Sequence, residues 1–176
     1  IKICYEKVTK NIAPQRLGII KNLQIGPTLG ETAKEILGKE FVHKAEDFIS
    51  QFKYEYDQIL LSQSNAYNGV NKLLKELKFR GNKIAIATNK REEPTLKIIE
   101  HLQWGNYFNW VACLNPENKT IKNKSELVKS ILTNEIDFHE SFFVGDTLND
   151  AICAKENGPK FIKASYGYSE KTGWDD

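Results

Sequence analysis

Along the first third of the chain, apolar residues recur at helical spacing. Ile1, Cys4, Tyr5, Val8 and Ile12 fall on one helical face, and Pro14 ends the run. Ile25-Gly26-Pro27 predicts a turn. A helix over 28–37 follows, with Leu29, Ala33, Ile36 and Leu37 inward and Gly38 closing it. A longer amphipathic pattern over 40–61 uses Phe41, Ala45, Phe48, Ile49, Phe52, Tyr56, Ile59 and Leu60. No strand pattern occurs before Lys83, so residues 1–66 read as a small helical bundle.

From Tyr67-Asn-Gly-Val70 the pattern changes. A helix over 70–80 places Val70, Leu73, Leu74 and Leu77 inward and ends at Gly81, a residue suited to a left-handed cap. The run 83–87 is a short buried strand, followed by Thr88, Asn89 and Lys90. Pro94 opens a helix with Leu96, Ile98, Ile99 and Leu102 inward. A second strand is predicted over 110–114, a helix over 124–132 with Leu127, Val128, Ile131 and Leu132 inward, and a third strand over 142–144. A helix over 148–157 stops at Gly158-Pro159, and a fourth strand covers 161–164. Strands alternating with short helices predict an α/β fold, a parallel sheet covered on both faces over residues 67–176.

Composition narrows the class. The chain has 176 residues and a net charge of +2, with Lys and Arg spread evenly, so neither nucleic acid nor an anionic membrane is an expected partner. Cys4, Cys113 and Cys153 are odd in number, widely spaced and without metal-type spacing; they read as small core residues of a reducing compartment. No apolar run approaches the length of a membrane span, and a cytoplasmic protein is the expectation. The sequence lacks Met and opens inside a helical pattern. The natural protein is therefore expected to carry further residues ahead of Ile1.

Candidate chemistry gathers at Phe142-Phe-Val-Gly-Asp-Thr-Leu-Asn-Asp150. Gly145 permits a sharp turn, Asp146 stands at the carboxyl end of a strand, and Asp150 lies in the first turn of the next helix. Ligands of open α/β sheets bind at such strand ends, and paired carboxylates suit Mg²⁺. The plainer alternative makes Asp146 a helix cap and Asp150 a partner of the helix dipole. Thr88 and Asn89 offer a hydroxyl and an amide for phosphate oxygens, though such a pair also makes an ordinary turn. Lys124 opens a helix, an unfavourable place for a cation unless an anion lies nearby.

In order and spacing, Ile84-Ala-Ile-Ala-Thr88-Asn-Lys90, Lys124 before a helix, and Phe143-Val-Gly-Asp-Thr-Leu-Asn-Asp150 resemble motifs II, III and IV of the haloacid dehalogenase superfamily. The likeness is to its phosphoglycolate-phosphatase-like branch. Ile25-Gly-Pro-Thr28 and the leading helices resemble that branch's helical cap, Tyr67-Asn-Gly-Val70 its return into the core, and Tyr166-Gly-Tyr168 the stretch after its last strand. The resemblance implies a Rossmann-like core over 67–176 and an all-helical cap domain over 1–66. It implies a Mg²⁺-dependent phosphatase working through an aspartyl-phosphate on a small phosphorylated metabolite: phosphoglycolate, a sugar phosphate or a nucleotide. Asp146 and Asp150 would hold the metal, Thr88 and Asn89 the phosphoryl group, and Lys124 would neutralise charge. Lys90 and the loop ending at Thr28 would contact substrate, in a monomer or homodimer.

The family's motif I, Asp-x-Asp-Gly-Thr with the attacking carboxylate, has no counterpart here, because the sequence contains no Asp-x-Asp. The expectation is a strand ahead of Ile1 that fills a slot between the strands ending near Thr88 and Asp146. Those two strands should then lie about twice the usual ~4.8 Å apart. Two other classes remain open: a catalytically inactive binding or scaffold domain, and a different doubly wound phosphate binder, for which the Gly-rich phosphate loop is missing.

Overall fold

The structure, a computed structural model, describes residues 1–10, 18–20, 28–115, 120–132 and 140–167. Two compact units emerge, Ile1–Asn65 and Ala66–Asp176. The expected turn at Ile25-Gly26-Pro27, and the Ile12 and Pro14 positions, lie outside the described residues.

In the first unit, α1 spans Lys2–Thr9, α2 Leu29–Phe41 and α3 Ala45–Gln63, with a short 3₁₀ turn at Val42–Lys44. The first helix ends at Thr9, where Lys10 turns left-handed and its N–H caps the Glu6 carbonyl. Thr28 begins α2 through a reciprocal box: its hydroxyl accepts from the Glu31 N–H, and the Glu31 carboxylate accepts from the Thr28 N–H at 2.8 Å. Gly38 does not close this helix as expected. It breaks the helical geometry at φ 60°, ψ −174°, and the helix resumes to Phe41. Cys4, Tyr5, Ala33, Ile36, Leu37 and Phe48 form the core, with Phe41 meeting Tyr5 edge-on at 6.2 Å. Among the described residues of this unit no strand occurs.

The second unit alternates α4 Val70–Phe79, β1 Ala85–Thr88, α5 Glu92–His101, β2 Trp110–Cys113, α6 Lys124–Leu132, β3 Phe142–Gly145, α7 Leu148–Asn157 and β4 Lys160–Lys163. Gly81 (φ 78°) follows α4 and Gly158 (φ 96°) caps α7, both in the left-handed region that glycine enters without a Cβ penalty.

The four strands do not form one sheet. β1 pairs in parallel with β2 (Ala85 opposite Trp110, Thr88 opposite Cys113), and β3 pairs in parallel with β4 (Phe142 opposite Lys160, Gly145 opposite Lys163). β1 and β3 are not hydrogen-bonded neighbours. Helix α6 packs against β1, β2 and α7, and α7 packs against β3 and β4, which links the two strand pairs within the unit. Leu127, Val128 and Ile131 of α6 and Cys153 and Ala154 of α7 are buried there.

Several burial expectations fail: Ile59 (54%) and Leu96 (47%), both expected inward, are exposed. Leu74 is the buried residue of α4, whereas Leu73 is exposed, because a narrow contact stripe admits only one of two adjacent leucines. Among the described residues, the two faces of the β3–β4 pair differ in cover. Phe142 and Val144 remain 60% exposed beside Ile162, while Phe143 and Phe161 on the other face are half-buried.

Candidate active site

The site is built on the β3–α7 turn. Thr147, not Asp146, is the cap of α7. Its hydroxyl accepts from the Asp150 N–H, and the Asp150 carboxylate accepts from the Thr147 N–H and hydroxyl at 3.1 and 2.7 Å. Thr147-Leu-Asn-Asp150 is thus a capping box with Asp in the place of the usual Glu, a signal present in the sequence. Asp150 Oδ2 also accepts from the Asp146 N–H at 3.2 Å, so one carboxylate holds the whole turn together.

Gly145 serves this arrangement by its size rather than by a special backbone angle. Its φ is not left-handed, but a Cβ there would meet Asp150 Cβ at 2.4 Å and Oδ2 at 2.8 Å. Gly167, after β4, does the same for Asp146: a Cβ would lie 2.3 Å from Asp146 Cβ and 2.4 Å from Oδ2. The half-buried Asp146 side chain therefore rests on bare backbone.

Lys124 arrives from α6. Asn123 caps that helix by accepting from the Glu126 N–H at 2.9 Å, which sets Lys124 as its first residue. Lys124 Nζ donates to Asp150 Oδ1 at 2.8 Å, with side-chain exposures of 16% and 5%. Asp150 is thus the anion that a cation at this helix start requires. Lys122 stays exposed, its N–H donating to Glu126. Burial alone would push the Asp150 carboxyl up, but the bonds from Lys124 and Thr147 outweigh it and hold the pKa below the ordinary carboxylate value. An ammonium has three donors, and among the described residues one of Lys124's goes to Asp150.

Thr88 ends β1, and its hydroxyl accepts from the Lys90 N–H at 3.1 Å, closing a turn that includes Asn89. The strand ends thus present Thr88, Asn89 and Lys90 on one pair, Asp146 on the other, and Lys124 on the helix that packs against both β1 and α7. Ser125, Asn157 and Gly167 are the contributors that spacing alone does not single out as a site.

The residues fit a hard divalent cation in one respect and limit it in another. Asp146 offers carboxylate oxygens at a strand's carboxyl end, in a cradle that a Cβ at Gly167 would fill. Both Asp150 oxygens already accept hydrogen bonds, so as a direct ligand Asp150 would have to give one up. Among the described residues no three His, Cys, Asp or Glu side chains form a metal cage. One protein carboxylate completed by water and phosphate oxygens is the donor set Mg²⁺ accepts.

Comparison with known proteins adds the family. The model of haloacid dehalogenase-like hydrolases matches residues 2–164. A phosphoglycolate phosphatase of Nitrosospira multiformis is 31% identical over 119 residues, covering 68% of this chain and 52% of the relative. One of Pseudomonas fluorescens is 28% identical over 130 residues, covering 74% and 46%. The chain thus spans about half the length of these curated relatives. Among solved structures, a predicted phosphoglycolate phosphatase from Haemophilus somnus 129pt matches with a TM-score of 0.78 at 21% identity, over 97% of this chain and 78% of that one, a likeness of fold. With its α/β strand–helix order and a family model matching nearly all of its length, the chain belongs to the haloacid dehalogenase-like hydrolases.

Proposed function

We propose that the protein is a Mg²⁺-dependent phosphatase acting on a small phosphomonoester, such as phosphoglycolate or a sugar phosphate. The observation that carries this reading is the bonded set Lys124–Asp150–Asp146 at a strand's carboxyl end. Asp146 would hold the metal, with Asp150 behind it steadying the turn. Mg²⁺, when bound, offsets the repulsion between a carboxylate nucleophile and an anionic phosphate. Thr88 and Asn89 are assigned to the phosphoryl oxygens, with Lys90 a further substrate contact. Lys124 keeps donors for an anion while its charge is anchored by Asp150. Residues 1–66 are assigned the role of a cap domain, which excludes water and selects the leaving group. Free thiols at Cys4, Cys113 and Cys153 support a cytoplasmic setting, and no described helix is long and apolar enough to cross a membrane.

A second reading is a catalytically inactive binding domain. It is favoured by one observation, the lack of any Asp-x-Asp in these residues. Calorimetric titration with Mg²⁺, together with phosphate release from a panel of phosphomonoesters by the full-length protein, separates the two. The phosphatase reading expects both signals, and expects Asp146→Asn to weaken Mg²⁺ binding and remove most turnover. Mg²⁺ binding without turnover selects the inactive domain. Unchanged Mg²⁺ binding in Asp146→Asn sinks the metal assignment.

A further inference from the structure

We propose that Asn157 and Ser125 form a clamp that sets where the Lys124 ammonium stands, making both positioning residues for the site. The inference rests on the reading given above and names its support. One stripe of α7 faces α6: Asp150, Cys153, Ala154 and Asn157, at helical spacing. The stripe has a carboxylate at one end, an apolar middle that is fully buried, and an amide at the other end.

Two adjacent residues of α6 grip both ends. Lys124 Nζ donates to Asp150 at 2.8 Å. Asn157 Nδ2 donates to Ser125 Oγ at 2.9 Å and to the Ser125 carbonyl at 3.2 Å. Ser125 Oγ in turn donates to the Glu156 carboxylate, so the hydroxyl is used as donor and acceptor together. Asn157 Nδ2 also lies 2.9 Å from the Cys153 carbonyl, so its two N–H groups are shared among three acceptors.

The plainer role for Asn157 is to finish its own helix. That role is already filled, because Gly158 caps α7 through its N–H to the Ala154 carbonyl. The bonds to Ser125 end no helix; they join two. Their effect falls on Lys124 because the two residues share one helical turn. A lysine stem has many rotamers and little intrinsic direction, so its charged end is aimed mainly by where its backbone is held. A retreat of roughly half an ångström would carry the 2.8 Å bond past the ~3.2 Å limit of a good hydrogen bond.

Amine labelling of the folded protein, quantified per lysine by mass spectrometry, reads the clamp without any assay of turnover. In Asn157→Ala the labelling rate of Lys124 should rise about 2- to 12-fold relative to Lys122 and Lys129, the population equivalent of one net hydrogen bond. Ser125→Ala, which keeps the carbonyl acceptor, should give a smaller rise, and Ser125→Thr, which keeps the hydroxyl, none. Equal changes at all three lysines, or none at Lys124, overturn the clamp. Should Asn157→Ala not fold, the contrast between Ser125→Ala and Ser125→Thr decides by the same criterion. In the turnover assay, the clamp expects kcat to fall on the order of 10- to 100-fold in Asn157→Ala with KM unchanged, as for a misplaced charged group. A selective rise at Lys124 in a protein without turnover would support the clamp and count against the phosphatase reading instead.

Discussion

Gly167→Ala tests the site at its most crowded point. The glycine is not in the left-handed region, so alanine brings no backbone strain and acts only through its methyl group. That methyl would sit 2.3 Å from Asp146 Cβ, 2.4 Å from Oδ2 and 2.7 Å from Cγ. Carbon atoms in contact normally stand about 3.5–4.0 Å apart, so the pair falls short by more than 1 Å. Either the Asp146 carboxylate turns away or the strand-end segment at Gly167 backs off; both move the proposed metal ligand. Overpacking of this kind costs about 1–3 kcal/mol, and loss of a supporting contact typically lowers metal affinity about 10- to 100-fold. Mg²⁺ titration by calorimetry and a thermal melt on the same sample measure the two effects separately. Gly105→Ala is the control, since a Cβ there has nothing within 4 Å and the backbone angle is permissive. Gly105→Ala should match the unmodified protein in both measurements. Mg²⁺ affinity in Gly167→Ala equal to that of the unmodified protein would refute the idea that Asp146 must rest on bare backbone.

Asp150→Ala leaves the Lys124 ammonium without its buried partner and should cost about 3–5 kcal/mol in urea unfolding, because an uncompensated buried charge remains. The pH dependence has a fixed sign. The folded-state pKa of Asp150 is depressed, so its stabilisation is fully present above the ordinary unfolded value of ~3.9 and is lost as pH falls through the lower folded value. Asp150→Asn should therefore flatten that acid limb below about pH 4, and an unaltered limb would show that another group governs it. Tyr5→Phe should raise the melting temperature. The Tyr5 hydroxyl is buried without a hydrogen-bond partner among the described residues, and each such group costs about 1–3 kcal/mol; a lower melting temperature would reveal a partner that the phenol does have.

What the sequence discloses and what it withholds divide along chain distance. Asp146, Asp150 and Lys124 are legible because their meaning is local: a carboxylate after an apolar strand, another in the first helical turn, a cation where the dipole resists one. Thr147-Leu-Asn-Asp150 is equally local, and the capping box was there to be read. The element order from residue 70 onward is likewise written in periodicity, with strand bounds displaced by a residue or two. β1 runs Ala85–Thr88 where the apolar run suggested 83–87, because ladder bonds to β2, not apolar character, decide where a strand begins.

The withheld part is long-range. Periodicity marks Leu73 and Leu74, or Phe142 and Phe143, as equally apolar; only the packed neighbour decides which is covered. The pairings Lys124–Asp150 and Ser125–Asn157 span 26 and 32 residues and leave no local signature. Gly167 is the clearest case. Its only property is the absence of a Cβ, and the reason for that absence is a carboxylate on a different loop. The same logic applies to Asp150, expected as a metal ligand and observed with hydrogen bonds that tie the turn together. A two-oxygen side chain looks identical in a sequence whether its lone pairs face a cation or four N–H and O–H donors. Here Lys124, Thr147 and the Asp146 N–H take both oxygens, so a cation would have to displace one of these donors to reach Asp150.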